Sequence, residues 1–147
     1  MGQFNDYEET NSILNNDLGE QYLGFNKYPL EMDIALPNFE WCLLFRQGEF
    51  QQICPNFTAD DLNNSDLFTS PKEGWFAFKK DTVINQTYFR FGDELRYEHC
   101  SKSELVQAAE ILKEEINQEE TRILIYDLRS ETIDDYEKLD AVFSTFE

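Results

Sequence analysis

The sequence predicts an α+β fold, a mostly antiparallel sheet of about five to six strands with two C-terminal helices packed on one face. Three observations predict it. Residues 39–54, "FEWCLLFRQGEFQQIC", alternate with period two on either side of Gln47-Gly48. Residues 74–99 add two more aromatic segments of β character, and after residue 101 the apolar residues recur at helical spacing.

Each element follows in order. Residues 1–20 are rich in Asn, Asp, Glu and Gln, with too few apolar residues to form a stripe. They are expected to be a flexible lead-in to a single domain over residues 21–147. Gly24, Pro29 and Pro37 break residues 22–37 into short extended pieces or turns. Trp41, Leu43 and Phe45 then alternate with Cys42, Leu44 and Arg46, a strand that is apolar on both faces. Gln47-Gly48 turns it into a second strand, a hairpin. Residues 55–74 read as a loop holding one helical turn near Ala59 to Leu62, bounded by Pro55 and Pro71.

"GWFAFKK" (74–80) and "TYFRFGDELRYEH" (87–99) follow as strands. Gly92-Asp93 is taken as a hairpin turn with two possible registers. One pairs Phe91 with Glu94 and Phe89 with Arg96; the other pairs Phe91 with Leu95 and Phe89 with Tyr97. The second is preferred, because burying each ring contributes about 1.5–3 kcal/mol and outweighs a turn preference. Ser101 and Glu104 have capping-box spacing, and Leu105, Ala109, Leu112 and Ile116 extend a helix over roughly 102–118. "TRILIYDL" (121–128) reads as a central strand. Ser130 can cap a last helix whose stripe is Ile133, Tyr136, Leu139, Phe143 and Phe146.

Composition bounds the class. With 147 residues, 41% hydrophobic and 15% aromatic, the chain can bury a core built mainly from rings. Cys42, Cys54 and Cys100 are odd in number and irregular in spacing, unlike a secreted disulfide scaffold. No signal-peptide pattern is present, Asp6 spoils a myristoylation motif, and no apolar run has spanning length. The expectation is a cytoplasmic protein with no membrane contact.

Charge is the outlying property, at −18. Residues 1–40 hold 8 acids and 1 base, residues 41–100 hold 9 and 6, and residues 101–147 hold 13 and 5. Such a field repels phosphate backbones and attracts basic proteins, which argues against direct nucleic-acid binding.

Candidate chemistry is sparse against this background. His99 and Cys100 adjoin, but neighbouring strand residues point to opposite faces. No Cys-x-x-Cys or His-x-x-x-His pair exists for zinc. A calcium loop counted from Asp61 puts Asp66 where Gly is needed and Lys72 where Glu is needed. "EGWFAFKK" has the Gly-aromatic rhythm of an RNA-stacking strand, yet element order and charge disagree. The acceptor patterns at Asn56, Asn63 and Asn85 lack a secretory context. No cofactor, metal or catalytic residue is therefore expected. The sequence reading is a small acidic inhibitor of a basic protein, either an immunity protein against a toxin such as a nuclease or a nucleic-acid mimic used in counter-defence. Its partner-binding residues would be Glu115, Glu119, Asp134, Asp135 and Asp140. The alternatives are a small-molecule binder or enzyme with a sheet/helix cleft, and an accessory subunit of a larger complex.

Overall fold

The described residues form nine strands and three helices, and β4 (Phe68–Lys72) falls in the stretch expected to be loop. In chain order these are β1 (Ile34–Pro37), β2 (Glu40–Arg46), β3 (Glu49–Cys54), α1 (Ala59–Leu62), β4 (Phe68–Lys72), β5 (Trp75–Phe78), β6 (Thr82–Ile84), β7 (Thr87–Phe89), β8 (Glu94–His99), α2 (Lys102–Glu115), β9 (Ile123–Tyr126) and α3 (Tyr136–Ser144). The computed structural model describes residues 3–8, 10–14, 32–115, 121–126 and 136–146. The chain divides into two units: residues 3–12 with Glu40–His99, and Ile13–Phe39 with Cys100–Glu147. The fold is α+β, with the expected antiparallel sheet of five strands in the first unit. Helices α2 and α3 are grouped in the second unit with β1 and β9, not with that sheet.

The sheet runs β3-β2-β8-β5-β4. The β2–β3 hairpin forms as expected: Gln47 (φ 53°) and Gly48 (φ 79°) both adopt positive φ, as a two-residue turn matched to strand twist requires. On one face Cys42, Leu44 and Leu95 join Phe57, Leu62, Phe68, Phe78 and Phe89 in a ring-rich cluster, with Phe78 and Phe89 stacked 4.6 Å apart. On the other, Leu43, Phe45 and Trp75 pack with Tyr7, Trp41 and Phe50.

The preferred hairpin register around Gly92-Asp93 is not formed. β7 pairs with β6, turning at Asn85-Gln86, and β8 pairs with β2 on one side and β5 on the other. β8 has both faces covered and both edges hydrogen bonded, so no edge is left for β7. Phe91, assigned to the buried face, is 74% exposed. Gly92-Asp93 does turn the chain, with Asp93 N–H bonded to Arg90 O at 3.0 Å.

Described residues of the lead-in contact the sheet. Residues 3–12 belong to the sheet unit, and Tyr7 Oη donates to Glu94 Oε2 at 2.7 Å. Asn11 Nδ2 donates to His99 O at 2.9 Å. Residues 1, 2, 9 and 15–20 of that stretch lie outside the described residues.

In the second unit β1 and β9 pair in parallel, Ile34 opposite Ile123 through Pro37 opposite Tyr126. The strand expected to be central has one partner among the described residues. The capping box at Ser101 is present: Glu104 N–H donates to Ser101 Oγ, and Ser101 N–H donates to Glu104 Oε2. In α3 Val142 is fully buried, while Phe143, predicted for the buried stripe, is 43% exposed. Ser130 and Ile133 lie outside the described residues.

Candidate protein-binding face

The two units treat charge in opposite ways. In the sheet unit the informative charges are buried. Arg96 is 0% and Glu98 1% exposed, two positions apart on β8 and on one side of the sheet. Arg96 Nε donates to Glu98 Oε1 at 2.7 Å, and its terminal nitrogens donate to Asp6 O and Phe4 O. Its guanidinium also lies 5.0 Å from the Phe45 ring centroid. Glu98 Oε2 accepts from Ser12 N–H, Ser12 Oγ and Trp41 Nε1, at 3.0, 2.6 and 2.8 Å. Both carboxylate oxygens are engaged, and the group is buried. This cluster anchors Phe4, Asp6 and Ser12, and the sequence reading missed it because an x-Arg-x-Glu alternation also describes a solvated strand face.

Arg46 and Asp93 form a second such pair. Arg46 Nε and Nη2 donate to the two oxygens of Asp93 at 2.8 and 2.7 Å. Burial pulls the Asp93 carboxyl upward, but the Arg46 fork and the Arg90 N–H outweigh it and hold the carboxyl below its usual range. Tyr7 goes the other way. Burial and the bond to Glu94 push its phenol up to about 12.

The helix unit uses its cations differently. Lys102 Nζ, at the start of α2, donates to Glu137 at the start of α3 at 2.7 Å. Lys113 Nζ, near the end of α2, donates to Thr145 O just past the end of α3 at 2.5 Å. Start therefore meets start and end meets end, so the two helices run parallel. Lys138 Nζ donates to Cys100 O at 2.5 Å. All three lysines of the two helices are thus engaged within the unit. The side chains of Glu110, Glu114, Glu115 and Asp140 make no hydrogen bond or ion pair among the described residues, and all but the half-buried Glu115 are exposed. Exposed Phe143 lies three residues beyond Asp140, on the same side of α3.

Glu114 and Glu115 occupy the last turn of α2, where the helix dipole disfavours negative charge by about 0.3–1 kcal/mol per group. Helix stability alone would select cations there. Of the residues expected to bind a partner, Glu115 and Asp140 fall on this helix pair; Glu119, Asp134 and Asp135 lie outside the described residues. Glu110 and Glu114 join the candidate face. Their signal was their position on α2 opposite the apolar stripe, which the emphasis on the chain's last acids passed over.

The other candidates resolve as follows. His99 is exposed at the end of β8 and stacks on Tyr97 at 5.3 Å, whereas Cys100 is buried. Among the described residues no group of three or more His, Cys, Asp or Glu side chains could hold a metal ion. No described helix is long and apolar enough to cross a membrane. In the sheet unit the β6–β7 hairpin and the turn after it expose Val83, Tyr88 and Phe91. Asp81 steadies that end by accepting from Phe91 N–H and Tyr88 Oη, both at 2.7 Å. No known protein family, curated protein or solved structure matches the chain.

Proposed function

We propose that the chain is a cytoplasmic, non-enzymatic inhibitor that binds a basic protein through the α2–α3 pair and occludes a positively charged site. An immunity protein neutralising a toxin such as a nuclease fits this reading, as does a counter-defence protein that mimics nucleic-acid charge. One observation carries it. The lysines of the helix pair are spent on internal bonds, while Glu110, Glu114, Glu115 and Asp140 stay unpaired in a chain of net charge −18. Such a face speeds encounter with a basic partner, and a ring at its centre supplies the desolvated contact that charge alone does not. Phe143, exposed on α3 three residues beyond Asp140, is the ring proposed for that contact. The pairing of Glu119, Asp134 and Asp135 with the same partner is part of the proposal.

The test is capture of partners from a lysate of the source organism, followed by stopped-flow association across a salt series. A basic partner whose association slows by about tenfold or more with rising salt supports the reading. Neutral or acidic partners with salt-independent association overturn it.

A second reading, an accessory subunit of a larger complex, is favoured by exposed Val83, Tyr88 and Phe91 on the sheet unit. It predicts co-purification in a stoichiometric assembly that survives high salt but is lost on Phe91→Ser.

A further inference from the structure

Cys42 on β2 and Cys54 on β3 stand directly opposite each other in the antiparallel register. Opposed residues in such a pair have Cα atoms about 4.5 or 5.5 Å apart, according to their place in the ladder. Both spacings lie inside the roughly 4.4–6.8 Å that a disulfide spans. The two side chains leave the same face of the sheet, since both join the cluster that contains Leu44, Phe57 and Leu95. Both thiols are free.

Their access differs in a useful way. Cys42 is 0% exposed, while Cys54 is 7% exposed and lines a small open cleft of about 70 Å³ with Gln52, Phe57, Ile84 and Phe89. Gln52 Nε2 donates to Cys54 Sγ at 3.6 Å, a contact that favours the thiolate. One thiol can meet a reagent and the other can only meet the first.

We propose that Cys42 and Cys54 form a thiol–disulfide exchange site, oxidised to a cross-strand disulfide by a small-molecule disulfide of the glutathione class. Cys54 loses its proton to water, and its thiolate attacks one sulfur of the reagent. The reagent's S–S bond breaks, a Cys54 mixed disulfide forms, and the first small thiol leaves and takes up a proton. Cys42, deprotonated in turn, attacks Cys54 Sγ, forming the Cys42–Cys54 bond and releasing the second small thiol. Two electrons pass from the cysteine pair to the reagent, which is reduced to two thiols. Burial raises both protein thiols, with neighbouring Cys54, Glu40, Asp61 and Glu98 adding to the effect on Cys42. Exchange at neutral pH is accordingly slow, and the pair behaves as a sensor of sustained oxidation, not as a fast catalyst.

The test incubates the native chain with excess oxidised glutathione, quenches in acid and maps the tryptic peptides. Cleavage after Arg46 and Lys72 puts Cys42, Cys54 and Cys100 on three separate peptides. The expected product is lighter by two hydrogens, with the Cys42 and Cys54 peptides joined and Cys100 free. Cys42→Ser should accumulate a glutathione adduct on Cys54, and Cys54→Ser should leave Cys42 unmodified. A stable Cys54 adduct in the unsubstituted chain, a bond to Cys100, or no thiol loss where the urea-unfolded chain reacts would each overturn the proposal. The mapping of the unsubstituted chain stands even if a serine variant fails to fold.

Discussion

The sheet unit and the helix unit place their charges differently. In the sheet unit Arg96 and Glu98 are buried and bonded to Phe4, Asp6 and Ser12, and Arg46 grips a buried Asp93. In the helix unit the ion pair between the two helices, Lys102–Glu137, is exposed, and Glu110, Glu114, half-buried Glu115 and Asp140 stay unpaired among the described residues. Breaking a buried pair leaves an uncompensated charge, whereas altering an exposed one changes little but the field. Mutations in the first unit should therefore unfold, and mutations in the second should unbind.

The largest expected effect is at Glu98. Glu98→Ala leaves Arg96 buried without its carboxylate and strands the Trp41 and Ser12 donors, at a cost of about 3–5 kcal/mol in urea unfolding. Arg46→Ala comes next, at about 2 kcal/mol, because Asp93 keeps its Arg90 N–H and gains water through the vacated, partly exposed site. The pH dependence has a definite sign here. Asp93 has a lowered folded pKa, so its contribution is present above the unfolded pKa of about 3.9 and is lost as pH falls through the folded value. The stability difference between Arg46→Ala and the unsubstituted chain should therefore narrow in acid.

Tyr7→Phe should cost about 1 kcal/mol through the lost bond to Glu94. Tyr7 has a raised folded pKa, so its contribution is complete below about pH 10 and is lost as pH rises toward about 12. Absorbance at 295 nm should resolve a late-titrating phenol that Tyr7→Phe removes. The smallest effect, of opposite sign, belongs to the helix face. Glu114→Lys with Glu115→Lys should raise stability by about 0.5 kcal/mol, because cations suit the last turn of α2. A loss of more than about 1 kcal/mol would show that these acids support the fold.

Local signals in the sequence were legible where one rule decided the outcome. The Gln47-Gly48 turn, the helical turn at Ala59–Leu62 and the Ser101/Glu104 capping box all appear where their residues predict them. Register was not legible at Gly92-Asp93, because burial of adjacent rings was used to choose a partner for β8. The deciding contacts were distant: β8 needed both β2 and β5, and Arg46 claimed Asp93 from 47 positions away. The docked N-terminal segment was illegible for the same reason. Its polar residues look solvated, and the buried Glu98 that receives them is 86 positions later. Of the candidate face, the excess of acid was legible, but the engagement of Lys102, Lys113 and Lys138 needed the helix pair to be assembled.

The central claim is that the α2–α3 carboxylates are the recognition surface. The direct test measures association of the captured basic partner with a variant carrying Glu110→Lys, Glu114→Lys, Glu115→Lys and Asp140→Lys. Its comparator carries Asp60→Lys and Asp66→Lys, exposed acids of the sheet unit. The account predicts association slowed by about tenfold or more at low salt for the helix variant, unchanged folding, and a much smaller change for the comparator. Equal losses in the two variants, or undiminished binding by the helix variant, would contradict it.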